Sequence, residues 1–421
     1  MSALAQVLVG QGHRVSGSDR ALAGDAAPPI FGQLANGGVV LCPQDGSGVT
    51  SGTEAVIVSS AIEDDNPDLG AADRLGIPVQ HRAERLAELA GQGKCLAVTG
   101  TSGKTTVTAL AGWVLAELGA DPTVVNGGST TGWIADDRVG NVRIGTPDLW
   151  VVEADESDRS LLNFHPEWAI ITNVSRDHFE LDDLQAMFQR FADQTAAFVV
   201  TDSDLDANLD MSSVHGSAEG IRFVYGETEF SLALIGEHNV RNALQVVLMV
   251  EQMGYALADV AVALESFPGV HRRLERVGQA AGVTVFDDYA HNPSKITAAW
   301  AAVRKISNRV FGIWQPHGYG PLAHMYDELL ECFTALAREE DRVFVRPVFY
   351  AGGTTTRTVS SDQFVADLRA RGVNVDLAAG AQDVVAGAGV DMQEGDAVLS
   401  MGARDPLLPE YARAIVDAIA R

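Results

Sequence analysis

The chain has 421 residues, of which 46% are hydrophobic and 20% charged, and its formal net charge at pH 7 is −26. This is the composition of an ordinary soluble globular protein, and the length predicts two to four domains at about 100–200 residues each. So acidic a chain excludes a protein that wraps nucleic acid, because neutralising phosphates requires a basic surface. Anionic ligands would need local pockets of positive charge.

Cys42, Cys95 and Cys332 are the three cysteines, and they lie far apart in the sequence. Their odd number and their spacing argue against a disulfide framework and against a cysteine metal cluster. The sequence has no apolar run of about 20 residues and no N-terminal pattern typical of a signal peptide. We therefore predict a cytoplasmic protein without a membrane partner.

Residues 1–92 are predicted to form a first α/β domain, with strands of a parallel sheet at 38–41, 55–58 and 77–79 and a helix at 66–76. The chain begins inside a helix, at 2–8, and a strand at 13–16 follows at once. A doubly wound nucleotide-binding domain normally begins with a strand and a glycine-rich turn. That first strand is missing from the pattern, so we expect Met1 to be an internal methionine of a longer protein.

Residues 93–276 are predicted to form a second α/β domain. A buried strand at 95–98 runs into a glycine-rich loop and then into a helix. The apolar face of that helix is Val107, Leu110, Ala111, Val114, Leu115 and Leu118. Strands at 149–152 and 168–171 each end in a polar cluster. Because ligands of open α/β sheets bind beyond the carboxyl ends of the strands, these clusters should share one edge of the sheet.

The glycine-rich loop is Gly-Thr-Ser-Gly-Lys-Thr-Thr at 100–106. A strand, glycine turn and helix in this order place backbone N–H groups at a phosphate. Lys104 adds a positive charge, and Thr105 can place its hydroxyl on Mg²⁺. Val98 stands where the common phosphate-loop pattern has a further glycine. An ordinary strand–helix turn is the alternative, and the Gly-Lys-Thr-Thr run argues against it.

Two polar clusters follow the neighbouring strands. Residues 153–158, Glu-Ala-Asp-Glu-Ser-Asp, carry four carboxylates that repel one another unless water or cations surround them. Glu153, nearest the strand, is a candidate Mg²⁺ ligand, with a solvated acidic loop as the alternative. The second cluster, Thr-Asn-Val-Ser-Arg-Asp-His at 172–178, ends in His178, a candidate metal ligand or hydrogen-bond donor.

Residues 277–421 are predicted to form a third α/β domain, with strands at 283–286, 310–314, 343–345 and 397–400.

With its motifs in this order, the chain resembles the Mur ligase family over nearly its whole length. Besides the three patterns above, the shared ones are Gly-x-His-Asn-x-x-Asn at 236–242, Arg-Arg at 272–273 and Asp-Asp-Tyr-Ala-His-Asn-Pro at 287–293.

The resemblance implies an α/β fold of three domains. They are an N-terminal Rossmann-like UDP-sugar-binding domain at 1–92 without its first strand, a central P-loop-type ATP-binding domain at 93–276, and a C-terminal Rossmann-like amino-acid- or peptide-binding domain at 277–421. It also implies an ATP- and Mg²⁺-dependent ligase of peptidoglycan synthesis. Such an enzyme joins the carboxylate of UDP-N-acetylmuramate to an amine through an acyl phosphate.

The amine donor stays open at this point. The branch that the chain resembles most adds L-alanine, and a recycling branch adds a short peptide of the type L-Ala-γ-D-Glu-diamino acid. A non-catalytic nucleotide-binding homologue is a third possibility. The L-alanine branch usually has an arginine where Gly318 follows Gln315-Pro316-His317, and this departure leaves the donor undecided. We expect a monomer or a homodimer.

The resemblance also implies roles for individual residues. Contacts with ATP are implied for Gly100, Thr101, Ser102, Gly103, Lys104, Thr105, Thr106, Asn239, Asn242, Arg273 and Asp288. Metal binding is implied for Thr105, Glu153 and His178, catalysis for Lys104, His178, His291 and His317, and contacts with the sugar nucleotide for Ser18, Asp19, Ser59, Ser60 and Ala61. For Asn242 and Asp288 the alternatives are a helix cap and a turn residue.

Overall fold

The structure is a computed structural model that describes residues 1–23, 28–174, 181–206, 210–350, 357–388 and 392–421. The chain divides into two compact units. The first comprises Met1–Ser213, Phe223–Leu232 and Val240–His271, and the second comprises Val214–Arg222, Ala233–Asn239 and Arg272–Arg421. None of the helices within the described ranges has the length and apolar character that crossing a bilayer requires.

The N-terminal part of the first unit contains two small sheets, each of two parallel strands. Its elements are α1 (Ser2–Gly10), β1 (Ser16–Ser18), α2 (Pro29–Asn36), β2 (Val40–Cys42), β3 (Val56–Val58), α3 (Pro67–Leu75), β4 (Val79–His81) and α4 (Arg82–Ala90). β1 pairs with β2, and β3 pairs with β4, as two separate sheets rather than the one sheet predicted. The strand predicted at 13–16 was wrong: β1 begins where Ser16 lies opposite Val40.

The predicted helix at 66–76 is confirmed as α3, and its ends show why it forms there. The side chain of Asn66 accepts a hydrogen bond from the backbone N–H of Asp68, and Pro67 occupies the first turn. Gly76 ends the helix in the left-handed region, with φ 67°. Local capping chemistry therefore fixes both boundaries.

The central sheet of the first unit carries the glycine-rich loop at 100–106. Its elements are β5 (Lys94–Thr99), α5 (Lys104–Glu117), β6 (Pro122–Val125), β7 (Val142–Arg143), β8 (Thr146–Glu153), β9 (Trp168–Ile171), α6 (Leu181–Asp193), β10 (Phe198–Thr201) and α7 (Asp202–Asp206). The six strands lie in the order β10-β9-β5-β8-β6-β7, with β7 antiparallel and the others parallel. Because β9, β5 and β8 are neighbours, their carboxyl ends meet at one edge, as predicted.

Helix α5 is buried on nearly every side, so the single apolar face predicted for it understates its burial. Thr105, Thr106 and Thr108 are buried together with the apolar residues of the helix. The helix packs on β5, β6 and β8, and α9 (Leu257–Glu265) covers it from the other side. Packing on the sheet and on α9 thereby fixes the position of the helix that follows the glycine-rich loop.

The remaining elements complete the first unit and build the second. In chain order they are β11 (His215–Ser217), β12 (Gly220–Tyr225), β13 (Thr228–Leu232), α8 (Glu237–Gln252) and α9, then β14 (Glu275–Ala280), β15 (Val283–Asp288), α10 (Pro293–Arg304), β16 (Val310–Gln315), α11 (Tyr319–His324), α12 (Tyr326–Leu336), β17 (Arg342–Val345), α13 (Ser361–Ala370), β18 (Val375–Leu377), α14 (Ala381–Ala388), β19 (Ala397–Gly402) and α15 (Leu408–Ile419).

The second unit is built on a sheet with the order β14-β15-β19-β16-β17-β18, parallel except for β14. Successive residues of β16 point to opposite faces. Trp314 joins one buried cluster, with Trp300 and Phe333, while Ile313 joins another on the opposite face. Both faces are therefore covered by helices, as is typical of a parallel sheet.

Candidate functional site

The loop after β5 approaches the backbone of its neighbour so closely that only glycine fits at its first position. Gly100 has φ 127°, and a Cβ there would lie 2.2 Å from Thr172 Oγ1 and 2.9 Å from Thr172 N. Gly103, with φ 86°, directly precedes α5, and a Cβ there would lie 2.7 Å from Asn242 Oδ1. Two of the loop's glycines are therefore required by the backbone and its packing.

The segment after β9 holds this loop in place. Thr172 Oγ1 donates to the carbonyl of Ser102 at 2.6 Å, and Asn173 Nδ2 donates to the same oxygen at 2.7 Å. Asn173 Oδ1 accepts from the N–H of Ser102 at 3.1 Å, and its carbonyl accepts from Thr101 at 3.0 Å. Four hydrogen bonds with Thr172 and Asn173 therefore restrain the conformation of the loop.

Lys104 lies at the start of α5, half enclosed by the loop. Its Nζ donates to the carbonyl of Gly100 at 2.7 Å and lies 2.6 Å from Glu156 Oε2. The exposed fraction is 14% for the lysine side chain and 4% for the glutamate, so water screens this ion pair weakly. The ammonium group is thus held at the mouth of the loop by a carboxylate that an anionic ligand would have to displace.

Sequence reasoning missed Glu156, since Glu153 stands nearer the strand. Burial raises the pKa of the Glu156 carboxyl, and the charge of Lys104 opposes that shift. Two other acids of the run, Asp155 and Asp158, have a different partner. Arg82 lies 3.5 Å from Asp155 and 3.6 Å from Asp158, so the run is not a freely solvated loop.

Thr105 and Glu153 meet beside the loop, as a shared Mg²⁺ site requires. Thr105 Oγ1 donates to Glu153 Oε1 at 3.3 Å, and the N–H of Gly127 donates to Oε2 at 2.8 Å. A hydroxyl and a carboxylate are oxygen donors that suit a hard divalent cation. His178, the third predicted ligand, lies outside the described residues, and the described ranges contain no cluster of three His, Cys, Asp or Glu residues able to hold a metal.

The two asparagines of α8 have different surroundings. Asn239 is buried and donates to the carbonyl of Ile235 at 2.8 Å. Asn242 is also buried, and its side chain lies against Gly103 of the loop. The ATP contacts implied for both residues stay predictions.

In the second unit, Asp288 organises the turn around the paired arginines. Its carboxylate accepts from the N–H groups of Leu274 and Ala290, each at 2.7 Å. Burial raises its pKa, although the nearby guanidinium of Arg273 opposes that shift. Arg273 itself lies over the ring of Tyr289, 5.7 Å from its centroid. Asp288 is thus the last residue of β15, and its carboxylate holds the segment that follows the strand. The ATP contacts implied for Asp288 and for Arg273 stay predictions.

Two of the three histidines predicted to be catalytic lie together in the second unit. The rings of His291 and His317 are 4.8 Å apart between centroids, and His291 Nδ1 lies 2.9 Å from the carbonyl of Tyr289. The pKa of His317 falls to about 4, because burial disfavours the charged ring and because His291, Arg404 and Lys295 add positive potential. At neutral pH His317 is therefore uncharged and can accept a proton.

The predicted sugar-nucleotide residues follow strands of the two small sheets. Ser18 ends β1 and donates to the carboxylate of Asp68, and Asp19 Oδ1 accepts from the N–H of Ala21 at 2.9 Å. Ser59, Ser60 and Ala61 directly follow β3, and the latter two are exposed. Their contacts with a ligand stay predictions.

Comparison with known families and proteins gives a consistent result. Three family profiles match: "Mur ligase family, catalytic domain" over residues 1–94, "Mur ligase middle domain" over 98–190, and "Mur ligase, glutamate ligase domain" over 272–404. The chain is 34% identical to the UDP-N-acetylmuramate–L-alanine ligase of Gloeobacter violaceus, covering 96% of this chain and 90% of that protein. It is also 34% identical to the enzyme of that name from Maricaulis maris, covering 98% and 93%.

Solved structures agree with the fold. The UDP-N-acetylmuramate–alanine ligase of Thermotoga maritima matches with a TM-score of 0.78 and 27% identity, covering 99% of this chain and 96% of that one. A murein peptide ligase from Psychrobacter arcticus matches with a TM-score of 0.63 and 19% identity, covering 100% and 96%. The three-domain α/β fold class predicted from the motifs is confirmed, and the chain belongs to the Mur ligase family.

Proposed function

We propose that this chain is an ATP-dependent ligase that joins the carboxylate of UDP-N-acetylmuramate to the amine of L-alanine in peptidoglycan synthesis. The observation that carries the proposal is the loop at 100–106, with Lys104 at its mouth and Thr105 and Glu153 beside it. The L-alanine-adding relatives, at about a third identity over nearly the whole chain, favour this substrate pair.

The residues of the loop suit the first step of such a reaction. Two anions, the nucleotide and the substrate carboxylate, must approach each other, and their repulsion is large in a site of low dielectric. Lys104 and the loop N–H groups would offset part of the negative charge. Mg²⁺, which Thr105 and Glu153 would hold, would offset the remainder. The γ-phosphoryl group passes to the carboxylate, which gives an acyl phosphate and ADP.

The histidines of the second unit suit the second step. The amine nitrogen attacks the acyl carbon, the carbon–oxygen bond to phosphate breaks, and phosphate leaves. Attack makes the nitrogen a much stronger acid, so even a weak base can take its proton. His317 is uncharged at neutral pH, because its pKa is about 4, and His291 lies against it.

A phosphate-release assay tests the proposal. With ATP, Mg²⁺ and UDP-N-acetylmuramate present, we expect L-alanine to support steady phosphate release, and we expect the peptide L-Ala-γ-D-Glu-diaminopimelate to support far less. Mass spectrometry of the product should show UDP-N-acetylmuramoyl-L-alanine. Turnover with the peptide alone would assign the chain to peptide recycling, and no turnover with either amine would contradict the proposal.

Gly127 offers a test of the metal site. A Cβ there would lie 2.7 Å from both carboxylate oxygens of Glu153, so Gly127→Ala should push that carboxylate away from Thr105. We expect the Mg²⁺ concentration for half-maximal activity to rise about tenfold, the effect typical of disturbing the support of a metal ligand. The midpoint temperature of thermal unfolding should change little, since the side chain of Glu153 is flexible and can move away from the added methyl group.

The matched control is Gly32→Ala, since a Cβ at Gly32 meets nothing within 4 Å. This variant should show the Mg²⁺ dependence of the original chain. If Gly127→Ala gave the same Mg²⁺ dependence as the control, Glu153 would not be a metal ligand.

A further inference from the structure

Three loops meet at one edge of the second unit's sheet. Strand β19 lies between β15 and β16, with Met401 opposite both Asp288 and Trp314. The loop after β15 carries His291, the loop after β16 carries His317, and the loop after β19 carries Arg404. Strand order therefore places Arg404 between the two histidine loops.

Arg404 occupies a backbone conformation that arginine rarely adopts. Its φ is 66°, in the left-handed region where glycine is favoured. Such strain persists only where the surrounding structure imposes it, and it is common at ligand-binding positions. The side chain is exposed at the edge of the sheet, where a ligand can reach it.

The guanidinium of Arg404 occupies the space beside Gly318. Its Nη1 lies 4.0 Å from the Cβ that Gly318 lacks, directly after His317. Gly318 itself has φ 149°, so a longer side chain at that position would be strained. The arginine beside Gly318 therefore comes from the loop after β19 and not from the loop after β16.

Among the residues that the structure describes, none neutralises the charge of Arg404 in an ion pair. Asp405, its neighbour, is buried, and its carboxylate accepts from the N–H of Leu407 at 2.9 Å. Within the described ranges, no carboxylate forms an ion pair with Arg404. Lys295 and His291 add further positive potential at His317, so the cluster favours an anion.

We propose that Arg404 binds the α-carboxylate of the amine donor and thereby selects a free amino acid over a peptide. This inference rests on the proposed function, in which an amine reaches the histidine loops. In a free α-amino acid, a carboxylate is attached to the carbon that bears the attacking nitrogen. In a peptide that carbon bears a neutral amide, which a guanidinium binds less strongly.

The test compares L-alanine with L-alaninamide, which lacks the carboxylate charge. In Arg404→Met we expect the preference for L-alanine over L-alaninamide, measured as the ratio of kcat/KM values, to fall at least about tenfold, as the loss of a charged hydrogen bond predicts. The change should lie mainly in KM for L-alanine. Arg404→Lys should retain part of the preference.

Two further variants separate charge from folding. Arg404→Gly also removes the charge, and at the same time it relieves the strain at φ 66°. The midpoint temperature of its thermal unfolding should therefore be no lower than that of the original chain. Arg338→Met removes an exposed arginine before β17, at the opposite edge of the sheet, and should leave the preference unchanged.

Hydroxylamine distinguishes failure of this inference from failure of the proposed function. It has no carboxylate, and it traps an acyl phosphate as a hydroxamate with release of phosphate. We expect the same rate of hydroxamate formation from the original chain and from both charge-removing Arg404 variants. If hydroxamate forms and the amine preference is unaltered, Arg404 does not bind the donor. If the original chain forms no hydroxamate, the ligase proposal and this inference fail together.

Discussion

Replacing Lys104 with methionine is expected to lower kcat for phosphate release by at least about 10³-fold. Removing one positioned electrostatic donor typically costs about 10²–10³ in kcat, and a full positive charge at a transferring phosphoryl group should lie at the upper end or beyond. The ammonium group already stands at the mouth of the loop, 2.7 Å from the carbonyl of Gly100. Initial rates at saturating ATP and L-alanine measure the loss.

The partner of Lys104 complicates the single variant. Without the lysine, Glu156 would be a buried and unpaired carboxylate, which costs on the order of 3–5 kcal/mol unless it takes up a proton. Its pKa is already raised by burial and should rise further. A carboxyl whose folded-state pKa is raised stabilises the fold below its unfolded pKa, and this contribution is lost as pH rises through the folded-state pKa. Lys104→Met should therefore be least stable at neutral and alkaline pH.

The double variant Lys104→Met with Glu156→Gln separates these effects. It leaves no titrating group in this pair, so its stability should vary less with pH than that of Lys104→Met. Its kcat should remain as low as that of the single variant. Substantial activity in the double variant would show that Lys104 serves only to neutralise Glu156, and it would remove the main support for the phosphate-loop assignment.

The features predicted correctly from sequence are those that local chemistry determines. The loop at 100–106 and the helix α3 carry their glycines, caps and charges within a few residues of one another. The strands that were predicted in the two large sheets, which correspond to β5, β8, β9, β15, β16, β17 and β19, contain apolar runs, and parallel sheets covered on both faces require such runs. Parallel strands bring their carboxyl ends to one edge of the sheet. The order of the elements therefore predicted that the glycine-rich loop and Glu153 would lie close together.

Features that depend on long-range pairing were not predicted. The position of β1 depends on β2, and the separation of the N-terminal strands into two sheets depends on partners that periodicity does not reveal. Arg404 lies beside Gly318 only because β19 inserts between β15 and β16, which are earlier in the chain. Glu156 was missed for a related reason, since position along the chain gave no indication that this acid, and not Glu153, would face the ammonium group.

Gly100→Ala is expected to be the most destabilising single substitution in the loop. The added Cβ would lie 2.9 Å from Thr172 N and 3.0 Å from Asn173 N, which are backbone atoms that cannot move without breaking the pairing of β5 with β9. The φ of 127° is also unfavourable for alanine. We expect a loss of more than about 3 kcal/mol in the free energy of unfolding, together with loss of ATP binding.

Gly119→Ala isolates the contribution of the backbone conformation. Gly119 follows α5 with φ 81°, and a Cβ there meets nothing within 4 Å. This variant should lose only about 1 kcal/mol, the usual cost of alanine at positive φ, and should bind ATP normally. Urea titration would measure the loss in the free energy of unfolding of each variant. Hydrogen exchange of peptides from β5 and β9 would then show whether the pairing of these strands is weakened. Equal losses in the two variants would mean that Thr172 and Asn173 do not restrict the loop, and the fixed phosphate cradle inferred from their hydrogen bonds would then be wrong.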